Sequence, residues 1–170
     1  TSHRSMFEPV SEAINLRLVR YHSLLIAVHW KAFSLNHFRA ISDACEAIVG
    51  EHGQVSSVVF MQGQFSLMVD GDTRREGAEL TAKWESTTTG QALVLPTTGF
   101  RASIARSVLT GVNMIARSST PQKIFQDPGE AFAWVTGLEG QPAEVREAAP
   151  RMWVELSPVL ERLDADHQEV

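Results

Sequence analysis

Cysteine is nearly missing from this chain: Cys45 stands alone among 170 residues. That excludes an internal disulfide framework and a cysteine-built zinc cage. No run approaches the roughly 20 consecutive apolar residues that span a bilayer, and the first residues lack a signal-peptide core, so a cytoplasmic protein without a transmembrane segment is expected. Positive charge is not in excess. Fifteen Lys and Arg against twenty Asp and Glu leave a net charge of −5, which argues against nucleic acid as partner. The motifs of common chemistry are missing too. There is no Gly-x-Ser-x-Gly elbow, no phosphate loop ending in Gly-Lys and no Gly-x-Gly-x-x-Gly fingerprint, so no cofactor and no enzymatic activity are expected. His22, His29, His37, His52 and His167 are scattered without His-x-x-x-His spacing, and no metal site is expected. Disorder is excluded as well, because hydrophobic residues make up 44% and charged residues 21%, ordinary globular usage.

What is present is a succession of changing periods. Residues 1–13 carry little pattern and read as a flexible lead. Over 15–20, Leu16 and Leu18 alternate with Arg17, as in a strand with one wet face. Residues 24–30 (Leu-Leu-Ile-Ala-Val-His-Trp) form a continuously apolar strand that pairs back across the turn at 21–23. Leu35, Phe38, Ile41, Cys45, Ile48 and Val49 then take helical spacing, with Ser34 or Asn36 as cap and Gly50 and Gly53 as stops. Val55 to Met61 reads as a buried strand, and 62–71 as a loop. A helix capped by Asp72 is expected over 73–87, and 91–95 is another short strand stopped by Pro96. In the next helix Ile104, Val108, Val112 and Ile115 fall within a narrow arc at about 100° per residue, which predicts packing on the sheet. Lys123-Ile124-Phe125 reads as a last strand, and Asp127-Pro128 caps a short helix. Residues 141–163 are helical by pattern, but Pro150 and Pro158 predict a kink or two joined helices.

The resulting order is a hairpin of two strands, then helix and strand in alternation, then a helical tail. That predicts an α/β fold with a mixed, mostly parallel sheet and an opening β-hairpin. Together with the run Gly90-Gln91-Ala92-Leu93-Val94-Leu95, then Ala116-Arg117, then Lys123-Ile124-Phe125 and Glu130-Ala131-Phe132-Ala133-Trp134, this order resembles the STAS domain of bacterial anti-sigma-factor antagonists, and above all the SpoIIAA-like group. The likeness covers about 14–137 and leaves 138–170 as a C-terminal helical extension with an acidic tail.

The resemblance implies a non-enzymatic regulatory module that works through protein contacts with a regulator or kinase. Antagonists of this type are phosphorylated on a Ser or Thr opening the helix after the third strand, usually within Asp-Ser-x-Gly. Here the matching place reads Asp72-Thr73-Arg74-Arg75, which makes Thr73 the first phosphorylation candidate and Ser66, in the preceding loop, the second. Arg75 replaces the glycine that lets a kinase approach the helix backbone.

The residues themselves suggest further sites. Thr97 and Thr98 stand at a strand-to-helix turn suited to an anion or to a simple cap. Arg106, Thr110, Asn113 and Arg117 share the helix side opposite the Ile/Val stripe, which reads as a solvated face or a docking face for an acidic partner. Met152, Trp153, Leu156 and Leu160 carry too much apolar surface to leave in water, so they form an interaction face for this domain or for a second copy in a homodimer. The alternative function is a small-ligand or lipid carrier with a pocket between helices and sheet, lined by Phe33, Phe38, Phe60, Phe65 and Phe100.

Overall fold

Seven consecutive residues without a polar interruption, apart from His29, can only be a strand buried on both faces, and Leu24–Trp30 is that strand. In the computed structural model, which describes residues 5–63, 65, 66, 70–95 and 119–168, it is the third of six. The strands are β1 (Glu8–Ala13), β2 (Leu16–Tyr21), β3 (Leu24–Trp30), β4 (Val55–Gln62), β5 (Thr88–Val94) and β6 (Gln122–Phe125). The helices are α1 (Leu35–His52), α2 (Gly71–Trp84), α3 (Pro128–Thr136) and α4 (Ala143–Gln168), with a 3-10 turn at Glu85–Thr87. Strands follow one another in chain order across a single sheet. The pairs β1–β2 and β2–β3 are antiparallel, and the three pairs from β3 to β6 are parallel. This is the α/β class that the order of periods predicts.

The two-residue period sorts β3 and β4 between two cores. Leu24, Ile26, Val28 and Trp30, with Val58 and Phe60, face one side, where α3 and α4 lie. Leu25, Ala27, Val59 and Met61 face the other, against Ala44, Cys45 and Ile48 of α1. Ser34 caps α1 by accepting from the His37 N–H, and Gly53 ends the helix at φ 74°, a left-handed position natural to glycine.

Three sequence expectations change. Residues 8–13 are not part of a flexible lead. They pair with β2, and they escape notice because β1 is wet on both faces and shows no alternation. The cap of α2 is Asp70 rather than Asp72, its carboxylate accepting from the Thr73 N–H. Helix α4 runs from Ala143 to Gln168 with both prolines inside it. Its apolar face takes the first of its two expected roles and packs on its own domain: Val145, Ala148, Met152, Leu156 and Leu160 are buried in the same core as α3, with Trp153 packed against it. Full burial of such side chains is worth about 1.5–3 kcal/mol each. The predicted helix carrying Ile104, Val108, Val112 and Ile115 lies outside the described residues. No described helix is long and apolar enough to cross a membrane.

Candidate functional site

Among the described residues, the sheet face under α1 and α2 is incompletely filled. A cavity of about 160 Å³ opens there, walled by Leu25, Ala27, Val59 and Leu93 from the sheet and by Phe38, Ile41, Cys45, Leu80 and Trp84 from the helices. The two helices approach closely because Gly77 of α2 has no side chain where the Phe38 ring of α1 sits; a Cβ there would lie 3.2 Å from the ring.

One polar residue of β3 faces this apolar space. His29 is fully buried and lines the cavity. Its Nδ1 lies 3.0 Å from Nδ1 of His37, whose Nε2 lies 2.7 Å from the Ile14 carbonyl oxygen. A backbone hydrogen bond from Trp30 N–H to Asn15 O ties the β1–β2 turn to the end of β3 and so places that carbonyl. The Ile14 side chain, by contrast, stands 87% exposed. Burial, and then the neighbouring His37, pushes the His29 pKa down to about 3. Burial also lowers that of His37, partly offset by the bond to Ile14. Both rings are therefore neutral near pH 7, and the proton positions follow. A carbonyl only accepts, so His37 Nε2 carries hydrogen and His37 Nδ1 does not. His29 must then donate from Nδ1, which leaves His29 Nε2 as a bare acceptor. That atom is buried and has no partner among the described residues. Phe33 meets the His29 ring edge-on at 4.8 Å, stacks on Phe38 and meets Phe65 edge-on.

Cys45 also lines the cavity. Burial pushes its thiol up to about 12, so it is a protonated apolar group and no nucleophile near pH 7.

A second histidine pair sits where the β2–β3 turn meets the end of α1. The rings of His22 and His52 lie 3.9 Å apart. Arg20 binds the Glu51 carboxylate through both terminal nitrogens, and Glu144 stands 3.9 Å from His22 Nε2. The Arg20 bond holds Glu51 below the usual carboxylate range. Burial lowers His52, with the nearby His22 and Arg20 adding to the effect. Among the described residues no group of three or more His, Cys, Asp or Glu side chains is arranged to hold a metal ion.

The other sequence-derived candidates scatter. Thr73 is buried at the cavity wall with its N–H on Asp70. Its hydroxyl also bonds to Asp70, and the two bonds hold that carboxyl low, so a phosphate on Thr73 would meet an anion at hydrogen-bond distance. Ser66 is exposed, and its N–H donates to the Lys31 carbonyl at 2.6 Å. Phe33 and Phe38 line the cavity, and Phe65 packs behind them on Phe33. Phe60, however, lies on the opposite face, against Phe132 and Trp153. Thr97, Thr98, Phe100, Arg106, Thr110, Asn113 and Arg117 lie outside the described residues. Sequence reasoning leaves His29 and His37 among the scattered histidines and does not pair them. The only available signal was that a strand end and the first turn of the next helix are necessarily close.

The chain matches a solved structure from Shewanella loihica PV-4, an uncharacterized protein of the DUF3478 family described as having a SpoIIAA-like fold. The match covers 79% of this chain and 98% of that one, at 13% identity and a TM-score of 0.44. No family model matches the chain, and no curated protein does.

Proposed function

We propose that this protein is a non-enzymatic binding module that holds a small, largely apolar ligand between α1, α2 and the sheet. The cavity carries this reading. Natural interiors are close-packed, yet here a space of about 160 Å³ remains beside the central strand, roughly the size of an engineered apolar cavity known to accept benzene. Polar wall residues come from α2 (Thr73, Arg74 and Thr81) and from the sheet (Ser56, Ser57, Gln91 and Gln122), and Arg74 is exposed. Occupancy would brace α2 against the sheet, and through it the segment that carries Ser66. A ligand-dependent change of that surface is what a regulatory protein partner would read.

Titration with toluene, followed through the methyl resonances of Leu25, Ile41, Val59, Leu80 and Leu93, tests the proposal. Shifts confined to these methyls support it. Their absence at saturating toluene rejects it. A phospho-switch is the second reading, favoured by the exposure of Ser66. Intact-mass analysis of protein from its own host, followed by site mapping, tests it: phosphate on Ser66 supports the switch, and unmodified protein under all growth conditions rejects it.

A further inference from the structure

On the sheet face opposite the cavity, the last turns of α4 are held differently from the rest of the helix. Val145, Ala148, Met152, Leu156 and Leu160 anchor it by burial, but none of residues 161–167 is buried. What holds this end is a set of side-chain contacts on Trp30 and Gln62, register partners at the ends of β3 and β4. The Asp164 carboxylate accepts from the Trp30 indole N–H at Oδ1 (2.8 Å) and from the Gln62 amide at Oδ2 (3.4 Å). Three residues on, the His167 ring stacks on Trp30 at 3.7 Å and 7°. Its Nδ1 donates to the Leu163 carbonyl oxygen, which only accepts. Beneath these contacts Trp30 and Gln62 are both buried.

Donors from two neighbouring strands thus converge on one carboxylate beside a flat indole face. They do so at the carboxyl ends of parallel strands, where open α/β sheets commonly receive ligands. We propose that this is a docking site for an acidic helical segment of a protein partner, and that the end of α4 fills it as a displaceable strap. The segment must present a carboxylate and, three residues further, a planar side chain, because residues three apart share a helix face. The strap itself is acidic, with Glu161, Asp164 and Asp166 against Arg162, so a competitor for its place carries the same sign. Its hold is slight. Beyond Leu163 no described residue of α4 packs in the core, and Pro158 deprives the root of the strap of one helical N–H. Release bares the Trp30 ring and two N–H groups that an incoming carboxylate can answer. The site is independent of the cavity across the sheet.

The test uses the isotope-labelled full-length chain and, as probe, a free peptide with the sequence of residues 157–170. In the wild type the tethered strap competes at an effective concentration of about millimolar, so the peptide binds weakly. In the Asp164→Ala chain the strap loses its carboxylate. The peptide is then expected to bind at least tenfold more tightly and to move the Trp30 indole N–H resonance, whereas the Asp164→Asn form of the peptide is expected to lose that gain. Equal affinity for the two chains, equal affinity of the two peptides, or no binding to the variant at millimolar peptide overturns the proposal. Hydrogen exchange on the unaltered protein guards against a variant that fails to fold. The Trp30 indole N–H and the amides of 163–168 are expected to exchange at least tenfold faster than the amides of Met152 and Leu156. An indole N–H as slow as those amides means that the strap opens only with global unfolding, and it too overturns the proposal.

Discussion

The two faces of the sheet are built from the same strands and finished differently. On the α3–α4 side, Phe60, Phe132 and Trp153 pack with ring centroids 6.1 to 6.3 Å apart. The indole N–H of Trp30 there is answered by Asp164 at 2.8 Å. On the α1–α2 side the strands alternate as regularly, yet a cavity remains among the described residues. One face is closely filled, and the other keeps room at a cost in stability. In a chain this short, that division lets binding change without endangering the core.

The sharpest way to break the comparison is to cut into the dense face. Phe132→Ala is expected to cost about 3–5 kcal/mol, the usual range for deleting a buried ring, read from the urea midpoint. A cost below about 1 kcal/mol would mean that the α3–α4 side is no tighter than its counterpart. Acid should act through the open face instead. The folded-state pKa of His29 lies below its unfolded value, so the unfolded chain binds the extra proton. The stability that neutral His29 allows is complete above about pH 6.5, and it is lost as pH falls from there towards about 3. Up to about 1.4 kcal/mol should disappear per pH unit in that window, with His37 acting in the same direction. His29→Phe should flatten the slope, and a slope that persists unchanged would assign the acid sensitivity elsewhere.

Smaller effects sharpen the contrast. Asp164→Ala leaves the Trp30 indole N–H unanswered and should cost about 1–3 kcal/mol by thermal or urea unfolding; no loss would show that α4 is held by its apolar stripe alone. Gly77→Ala has the smallest effect. A helix interior gains about 0.5–1 kcal/mol from alanine, but the new Cβ presses on Phe38. Net stability should shift by less than about 1 kcal/mol while toluene binding weakens, because the ring yields into the cavity. Unchanged binding would detach Phe38 from the site.

The sequence shows most clearly those elements whose burial is one-sided or complete. The alternation in β2, the apolar run of β3 and the helical stripe of α1 all predict what the structure contains. Strand β1 has no such mark, since Glu8, Pro9, Ser11, Glu12 and Ala13 are all exposed; only its pairing with β2 makes it a strand. The prolines of α4 mislead for a related reason. Local chemistry argues for a break, while burial of Val145, Met152 and Leu156 on one stripe outweighs two missing N–H groups. The site was half visible. His29 and the Phe cluster could be named, but the partner that fixes the proton on His29 depends on a carbonyl fifteen residues away, in a turn whose side chain faces water. Backbone atoms leave no trace in composition or spacing.

The outermost strand has a consequence for how the molecule behaves among its own copies. An exposed strand edge is a template on which another chain can pair, and long flat edges invite aggregation. β1 resists this in three ways within six residues. Pro9 has no N–H to offer, the register slips between Pro9 and Ser11, and Glu8 puts a charge at the margin, while Glu12 is paired with Arg17. Two copies brought edge to edge there would meet an interrupted ladder with a charged end. The feature that hides β1 from a reading of hydrophobic pattern is thus the one that stops the sheet from extending into a neighbour.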